Sequence, residues 1–139
     1  MNRSLLAVLL PVLLPACVVY ADPPGHADLN DPPFITYADG GCYWDPSYSD
    51  YVWYFEADAD DPDGPGDVKA VYADVYDGYT GEWQDGFDLL PDQGITWFSA
   101  WVGSTTYLDC TRPGYIIDIT AVDSYGDVDV VTVDAFQEL

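Results

Sequence analysis

The chain has 139 residues, and 25 acidic residues against three basic ones give it a formal net charge of -22. Proteins bind nucleic acids and anionic lipid surfaces through basic patches. A chain this acidic has no such patch, so binding to either partner in this way is excluded. Hydrophobic residues make up 49% of the sequence, which favours one folded domain over a disordered chain.

The acidic residues are strongly biased towards aspartate, since only Glu56, Glu82 and Glu138 are glutamates. Aspartate favours turns and helix caps whereas glutamate favours helix interiors, so this bias indicates strands and turns rather than helices. Adaptation to saline surroundings, where an acidic surface keeps a protein soluble, is an alternative explanation. Composition leaves both explanations open.

The chain begins with a segment that is typical of an export signal. Arg3 precedes an apolar run from Leu5 to Leu14, which is shorter than the roughly 20 apolar residues of a membrane-spanning helix. The run ends in Leu-Pro-Ala-Cys at residues 14–17, which resembles the lipobox of bacterial lipoproteins. The resemblance implies that residues 1–16 are a signal peptide and that Cys17 carries the lipid. An ordinary secretory signal followed by a chance cysteine is the alternative.

A lipid on Cys17 would anchor the exported protein to the cell envelope without any segment that crosses the membrane. Val18, in place of an aspartate, resembles lipoproteins that are sent on to an outer membrane. Residues 17–33 contain four prolines and few core-forming residues, and they are predicted to form an acidic tether. His26 lies in this tether, where a solvated side chain is expected.

From residue 34 onwards, apolar and polar residues alternate in short runs between Gly, Pro and Asp clusters, which is typical of β-strands. Each run is predicted to bury one face, as in Trp97, Ser99 and Trp101. The runs, in chain order, are Phe34–Trp44, Tyr51–Ala59, Val71–Val75, Trp83–Leu90, Ile95–Trp101, Tyr115–Ala121 and Val128–Val133. Seven strands in about a hundred residues predict an all-β, antiparallel sandwich.

Two stretches carry a more particular resemblance. PGYIIDITAVDSYGDVDVVTV at residues 113–133 and YFEADADDPDGPGDVKAVYADV at residues 54–75 are similar to strand pairs of bacterial immunoglobulin-like and PKD-type domains. The resemblance implies an immunoglobulin-like domain over residues 34–139. It also implies that Tyr115 is a tyrosine-corner residue, whose hydroxyl bonds to nearby backbone. An ordinary half-buried strand tyrosine is the alternative.

Two cysteines remain once Cys17 is assigned to the lipid. Export would place them in an oxidising compartment, and Cys42 and Cys110 then have only one pairing available. We therefore expect a disulfide between them, with two buried free thiols as the alternative.

The stretch DADDPDGPGDV at residues 58–68 places five aspartates in eleven positions. In an immunoglobulin-like sandwich, the loop after the second strand and the loop before the last strand emerge at the same end. The carboxylates expected to meet there are Asp58, Asp60, Asp61, Asp63, Asp67, Asp123 and Asp127. The loop is expected to be a solvated turn, for which Pro62 and Gly64 are well suited. The alternative is a Ca²⁺ site formed by these carboxylates.

Residues that could form a catalytic site are scarce in this sequence. The predicted domain has no histidine and a single lysine, Lys69, so a nucleophile lacks a base to activate it. We therefore expect no enzyme, and predict a structural or adhesive envelope domain. The alternative is a module that binds a glycan or an envelope protein through exposed aromatic side chains, unless these only form cross-strand pairs. The candidates are Tyr43, Trp44, Tyr48, Tyr51, Tyr54, Tyr72, Tyr76, Tyr79 and Trp83.

Overall fold

The computed structural model describes residues 30–138. The predicted signal peptide, the predicted lipidation site Cys17, His26 and most of the predicted tether lie outside the described residues. The strands are β1 (Phe34–Asp45), β2 (Asp50–Asp60), β3 (Val68–Asp77), β4 (Trp83–Pro91), β5 (Thr96–Val102), β6 (Tyr115–Asp123), β7 (Val128–Asp134) and β8 (Phe136–Gln137). The only helical elements among these residues are two 3-10 turns, Pro65–Asp67 and Gly103–Thr105.

The predicted all-β fold is confirmed, and each of the seven predicted strands overlaps one of β1 to β7. The two-residue β8 is additional, and it was not predicted because two residues show no alternation. Within residues 30–138 no helix has the length and apolar character needed to cross a membrane.

The strands form two antiparallel layers. In one layer β1 pairs with β2 and β2 with β5, and in the other β6 lies between β3 and β7 while β4 pairs with β3. The layers join where β4 reaches β5 at Leu90 and Pro91, and β8 adds a parallel pairing to β1. Along the sheet the strands lie in the order β7-β6-β3-β4-β5-β2-β1-β8. Ile35 N donates to Asp129 Oδ2 at 2.8 Å, so the two outer strands β1 and β7 also meet.

The core lies between the two layers because the strands bury alternate residues. On β2, Trp53 and Phe55 are fully buried. Phe55 stacks on Phe87 of β4 with ring centroids 4.7 Å apart, and Trp53 meets the Tyr115 ring of β6 edge-on at 5.5 Å. Burial of each such aromatic side chain stabilises the fold by about 1.5–3 kcal/mol.

The predicted buried face of β5 is wrong in part. Ser99 is buried, but Trp97 is only partly buried and Trp101 remains 43% exposed. The reason is that β4 pairs with β5 only at Leu90 and Pro91. Beyond this point β4 does not pair with β5, and one edge of β5 is left uncovered.

Cys42 and Cys110 form a disulfide, the pair that the sequence predicts. Their Cα atoms are 5.9 Å apart and both residues are buried. The bond joins the middle of β1 to the connection between β5 and β6. Gln137 of β8 reinforces this junction, because its Nε2 donates to the carbonyl oxygens of Cys110 at 3.0 Å and Arg112 at 2.6 Å.

β8 approaches β1 so closely that residue 41 has to be glycine. A Cβ atom on Gly41 would overlap the carbonyl oxygen of Phe136. Glu138 N then donates to Cys42 O at 3.0 Å, directly after β8. The C-terminal strand is therefore fitted against β1 by backbone contacts.

Tyr115 makes the hydrogen bond that its resemblance to a tyrosine corner implies. The residue is 4% exposed, and its hydroxyl accepts a hydrogen bond from Asp109 N at 3.2 Å. The ordinary half-buried tyrosine does not account for this bond, because the contact reaches six residues back along the chain.

Asp77 organises the turn that follows β3. Its Oδ1 accepts hydrogen bonds from Tyr79 N at 2.8 Å and Thr80 N at 3.3 Å, and Arg112 forms an ion pair with its other oxygen. The Tyr79 N–H is the largest cause that lowers the pKa of Asp77, and together with Thr80 and Arg112 it outweighs the opposing effect of burial. Asp77 is therefore held in its charged form.

Candidate functional site

The acidic loop between β2 and β3 folds as a tight turn followed by the Pro65–Asp67 3-10 turn. Gly64 N donates to Asp61 O at 2.9 Å, and Asp63 N donates to Asp61 Oδ1 at 2.8 Å. Gly64 has φ of 123°, which favours glycine. Asp67 N donates to Gly64 O at 2.8 Å, so the loop doubles back on itself. The turn chemistry expected of this loop is present, and it brings carboxylates together.

Three of the loop aspartates converge. Asp61, Asp63 and Asp67 each offer a carboxylate oxygen, and these oxygens lie within 4.8 Å of one another. Asp61 is only 3% exposed, and its Oδ2 is buried without a hydrogen-bond partner. A buried, unpaired carboxylate oxygen is costly, and a bound cation is the partner that satisfies several carboxylates at once.

The turn between β6 and β7 lies beside this loop. Val68 is paired with Asp123 across β3 and β6, and Ser124 Oγ donates to Asp67 Oδ1 at 2.5 Å. Asp123 Oδ1 accepts hydrogen bonds from Tyr125 N and Asp127 N, both at 2.8 Å. The two loops predicted to emerge at one end of the sandwich therefore touch.

The segment Asn30–Asp31 contacts both loops from outside the sheet, Asn30 at the β6–β7 turn and Asp31 at the β2–β3 loop. Its Nδ2 donates to Asp123 Oδ2 at 2.6 Å and to Asp127 Oδ2 at 2.9 Å. Burial acts to raise the pKa of Asp123, but the Asn30 amide and the turn N–H groups hold it below its usual value. The next residue, Asp31, donates its backbone N–H to Asp63 Oδ2 at 3.1 Å. Asn30 Oδ1 is buried and has no partner.

Sequence reasoning missed Asn30 because it lies within the predicted tether. One signal was available, since Asn30 is one of only two asparagines in a chain with 22 aspartates. The neutral amide of Asn30 can donate hydrogen bonds to carboxylates, whereas an aspartate at this position would be repelled by them.

Not every predicted ligand joins the cluster. Asp58 Oδ1 accepts a hydrogen bond from Thr96 Oγ1 at 2.6 Å across β2 and β5, and Asp60 Oδ1 accepts one from Asp61 N at 2.9 Å. Both residues belong to β2, where Ala57 and Ala59 take the buried positions. Strand alternation therefore directs Asp58 and Asp60 away from the core, and neither belongs to the group of converging oxygens.

A second candidate site is the groove left open between β4 and β5. It has a volume of about 590 Å³, within the range of small-molecule sites. It is lined by Asp88, Leu90, Phe98, Ser99, Ala100 and Trp101. Leu90 is 67% exposed, and Ser99 Oγ is buried without a hydrogen-bond partner. The groove therefore offers a mainly apolar surface to a ligand.

Both cations of the described region already contact oxygen partners. Lys69 Nζ donates to Gly66 O at 2.6 Å and lies 4.0 Å from Asp67 Oδ1. Arg112 is paired with Asp77. Within residues 30–138, no unpaired lysine or arginine therefore remains to bind an anion at the groove or at the aspartate cluster.

Comparison with known proteins adds no family assignment. No family model matches the chain, no curated protein is similar to it, and no solved structure matches it. The function is therefore inferred from the residues and geometry of the chain itself.

Proposed function

We propose that this protein is a non-catalytic lipoprotein of the bacterial cell envelope, whose immunoglobulin-like domain is stabilised by calcium and has a structural or adhesive role. Export and anchoring are supported by the Leu-Pro-Ala-Cys sequence ending at Cys17, and an oxidising location by the Cys42–Cys110 disulfide. The strand order supports the domain type. The buried, unpartnered Asp61 Oδ2 within the aspartate cluster is the observation that carries the calcium site.

Calcium fits these ligands better than other common metal ions do. It takes six to eight oxygen ligands in flexible geometry, from carboxylates, amide and backbone oxygens and water. Magnesium demands near-ideal octahedral geometry and keeps several of its waters. Zinc prefers nitrogen and sulfur ligands, and in residues 30–138 both cysteines are paired and no histidine occurs.

The calcium site is tested by thermal unfolding of residues 18–139, oxidised, in calcium, in chelator and in sodium chloride of matched ionic strength. Calcium at 100 times its dissociation constant stabilises the folded state by about 2.7 kcal/mol, or roughly 10 °C in Tm for a domain of this size. We expect Asp61→Asn to abolish this shift. Asp134→Asn removes the same charge from an exposed position on β7, and it should keep the shift.

The same experiment can overturn the proposal. Equal Tm values in calcium and in matched sodium chloride would mean that the acidic loop is only a solvated turn. A shift that both variants lose equally would mean that overall charge, rather than the cluster, is responsible.

The lipid anchor needs a separate test. Cells fed a labelled fatty acid should incorporate the label into the wild-type chain and not into Cys17→Ser. Membrane fractionation of the labelled protein then distinguishes the outer from the inner membrane. Export without labelling would leave an ordinary secretory signal and refute the anchor.

The groove between β4 and β5 favours a second function, the binding of a glycan or a partner protein. The supporting observation is the exposure of the apolar side chains of Leu90, Phe98 and Trp101 along this groove. A glycan array should detect binding that Trp101→Ala abolishes with folding retained. Trp44→Ala removes a similarly exposed indole near the end of β1 and is the matched control.

A further inference from the structure

We propose that Asn30 supplies a ligand to the calcium site, so that bound calcium fastens the start of the domain to the two acidic loops. This inference rests on the proposed calcium site and adds to it a coupling between the ion and the tether. It assigns Asn30 Oδ1 as an oxygen ligand beside Asp61 Oδ2.

The first step is the distribution of buried polar atoms that have no partner. In residues 30–138 these atoms are Asn30 Oδ1, Trp53 Nε1, Asp61 Oδ2 and Ser99 Oγ. Only Asn30 Oδ1 and Asp61 Oδ2 are pure acceptors, which a donor or a cation has to satisfy. Both belong to segments at the acidic end of the sandwich, and a single oxygen-coordinated ion there would satisfy the two together.

The second step is the position of the segment. Asn30 reaches the β6–β7 turn through its Nδ2 atom, and the adjoining Asp31 N–H reaches Asp63 in the other loop. The remaining atom of the same amide group, Oδ1, is buried within this junction. Three chain segments thus meet, and two of them carry the unpaired oxygens Asn30 Oδ1 and Asp61 Oδ2.

The third step is charge. The junction gathers five carboxylates, from Asp61, Asp63, Asp67, Asp123 and Asp127. Among the described residues, Lys69 is the cation near this junction. Its Nζ lies 4.0 Å from Asp67 Oδ1, and its side chain is largely exposed. Like charges this close repel, so a divalent ion would do most of the compensation. Without the ion, the same repulsion disfavours the approach of the segment that carries Asp31.

Calcium would therefore set where the tether leaves the domain. With the ion bound, the chain is fixed at Asn30. With the ion removed, residues 30–33 can detach, and four residues add at most about 14 Å to the reach of the tether. The freedom of the domain relative to the proposed anchor at Cys17 then depends on calcium.

Two substitutions separate a ligand role from a purely structural one. Asn30→Ala removes both the Nδ2 donor and the Oδ1 ligand, whereas Asn30→Asp removes the donor but keeps an oxygen ligand. If Asn30 is a ligand, the calcium affinity of residues 18–139, measured by competition with a chromophoric chelator, falls by about tenfold or more in Asn30→Ala. Asn30→Asp restores it, although its added charge makes the calcium-free protein less stable.

A local readout tests the coupling. The backbone N–H of Asp31 should exchange with solvent more slowly in calcium than in chelator, and Asn30→Ala should lose this difference. The N–H of Gly64, inside the loop turn, should respond to calcium in both proteins. Ser47→Ala, in the turn at the other end of β1, is the control for substitution itself.

The outcomes distinguish the two proposals. Calcium binding that is equal in wild type and Asn30→Ala overturns the role of Asn30 and leaves the calcium site standing. An affinity that Asn30→Asp lowers as much as Asn30→Ala also overturns it, because the lost donor would explain both. Absence of calcium binding by the wild type overturns both proposals.

Discussion

Reduction of the Cys42–Cys110 disulfide is expected to lower the free energy of unfolding by about 4 kcal/mol. The bond closes a loop with a sequence separation of 68 residues. In the chain-entropy model, a loop of this length restricts the unfolded chain by about that amount at 25 °C. With an unfolding entropy of roughly 2.1 cal/mol/K per residue over the described region, the loss corresponds to a decrease in Tm of about 15–20 °C.

Reduction of the disulfide should change the free energy of the folded state itself very little. Both cysteines are buried, so two thiols would occupy nearly the same space as the bond. Gln137 Nε2 still holds the connection through the Cys110 and Arg112 carbonyl oxygens. The effect should therefore arise mainly in the unfolded ensemble, and the slope of free energy against urea should rise because the reduced chain exposes more surface.

Urea unfolding of oxidised and reduced wild type, followed by tryptophan fluorescence, measures both quantities. The double variant Cys42→Ala/Cys110→Ala, insensitive to reductant, is the control for side effects of the reductant. A loss below about 1 kcal/mol with an unchanged slope would refute the reasoning, because it would mean that the bond hardly restricts the unfolded chain.

Three further predictions follow from particular contacts. Tyr115→Phe should lower the free energy of unfolding by about 1 kcal/mol in urea, because Asp109 N loses its acceptor; an unchanged value would assign Tyr115 to packing alone. Gly41→Ala should cost about 1–3 kcal/mol by displacing β8, whereas Gly66→Ala, where a Cβ meets nothing, should cost far less. Because the pKa of Asp77 is lowered in the folded state, its contribution to stability is present above its unfolded pKa of about 4 and is lost as pH falls through the lowered pKa. Asp77→Asn should therefore reduce the fall in urea midpoint between pH 7 and pH 2 without abolishing it, because the pKa of Asp123 is lowered too.

The strands were predictable where a local pattern decides burial. On β2 the predicted face runs through Tyr51, Trp53, Phe55, Ala57 and Ala59. All of these are buried except Tyr51, which is half-buried near the start of the strand, where Val52 is buried as well. β5 shows where such a pattern is insufficient. Trp101 has the same alternation, yet it stays 43% exposed because burial there depends on how far β4 extends along β5.

The candidate metal site was predictable to a similar degree. The clustering of Asp61, Asp63 and Asp67 follows from a short loop whose turn residues force it to double back. Asp58 could have been left out of the predicted metal ligands, since the alternation on β2 already places its side chain outside the core. The rarity of asparagine could have singled out Asn30, but its contact with Asp123 was not predictable, because the two residues are 93 positions apart and no local pattern reports such a contact.

The two ends of the sandwich differ in a way that bears on the proposed function. β1 runs from the acidic end, where Phe34 pairs with Asp60, to the β1–β2 turn at the opposite end. Near that turn Trp44 is 50% exposed and Tyr48 is 63% exposed. The chain enters the domain at the acidic end, so a domain anchored through its N-terminal side has its acidic end tied to the tether. Under the proposed anchor, an adhesive contact would therefore fall to the aromatic end, and the acidic end would serve attachment and stability.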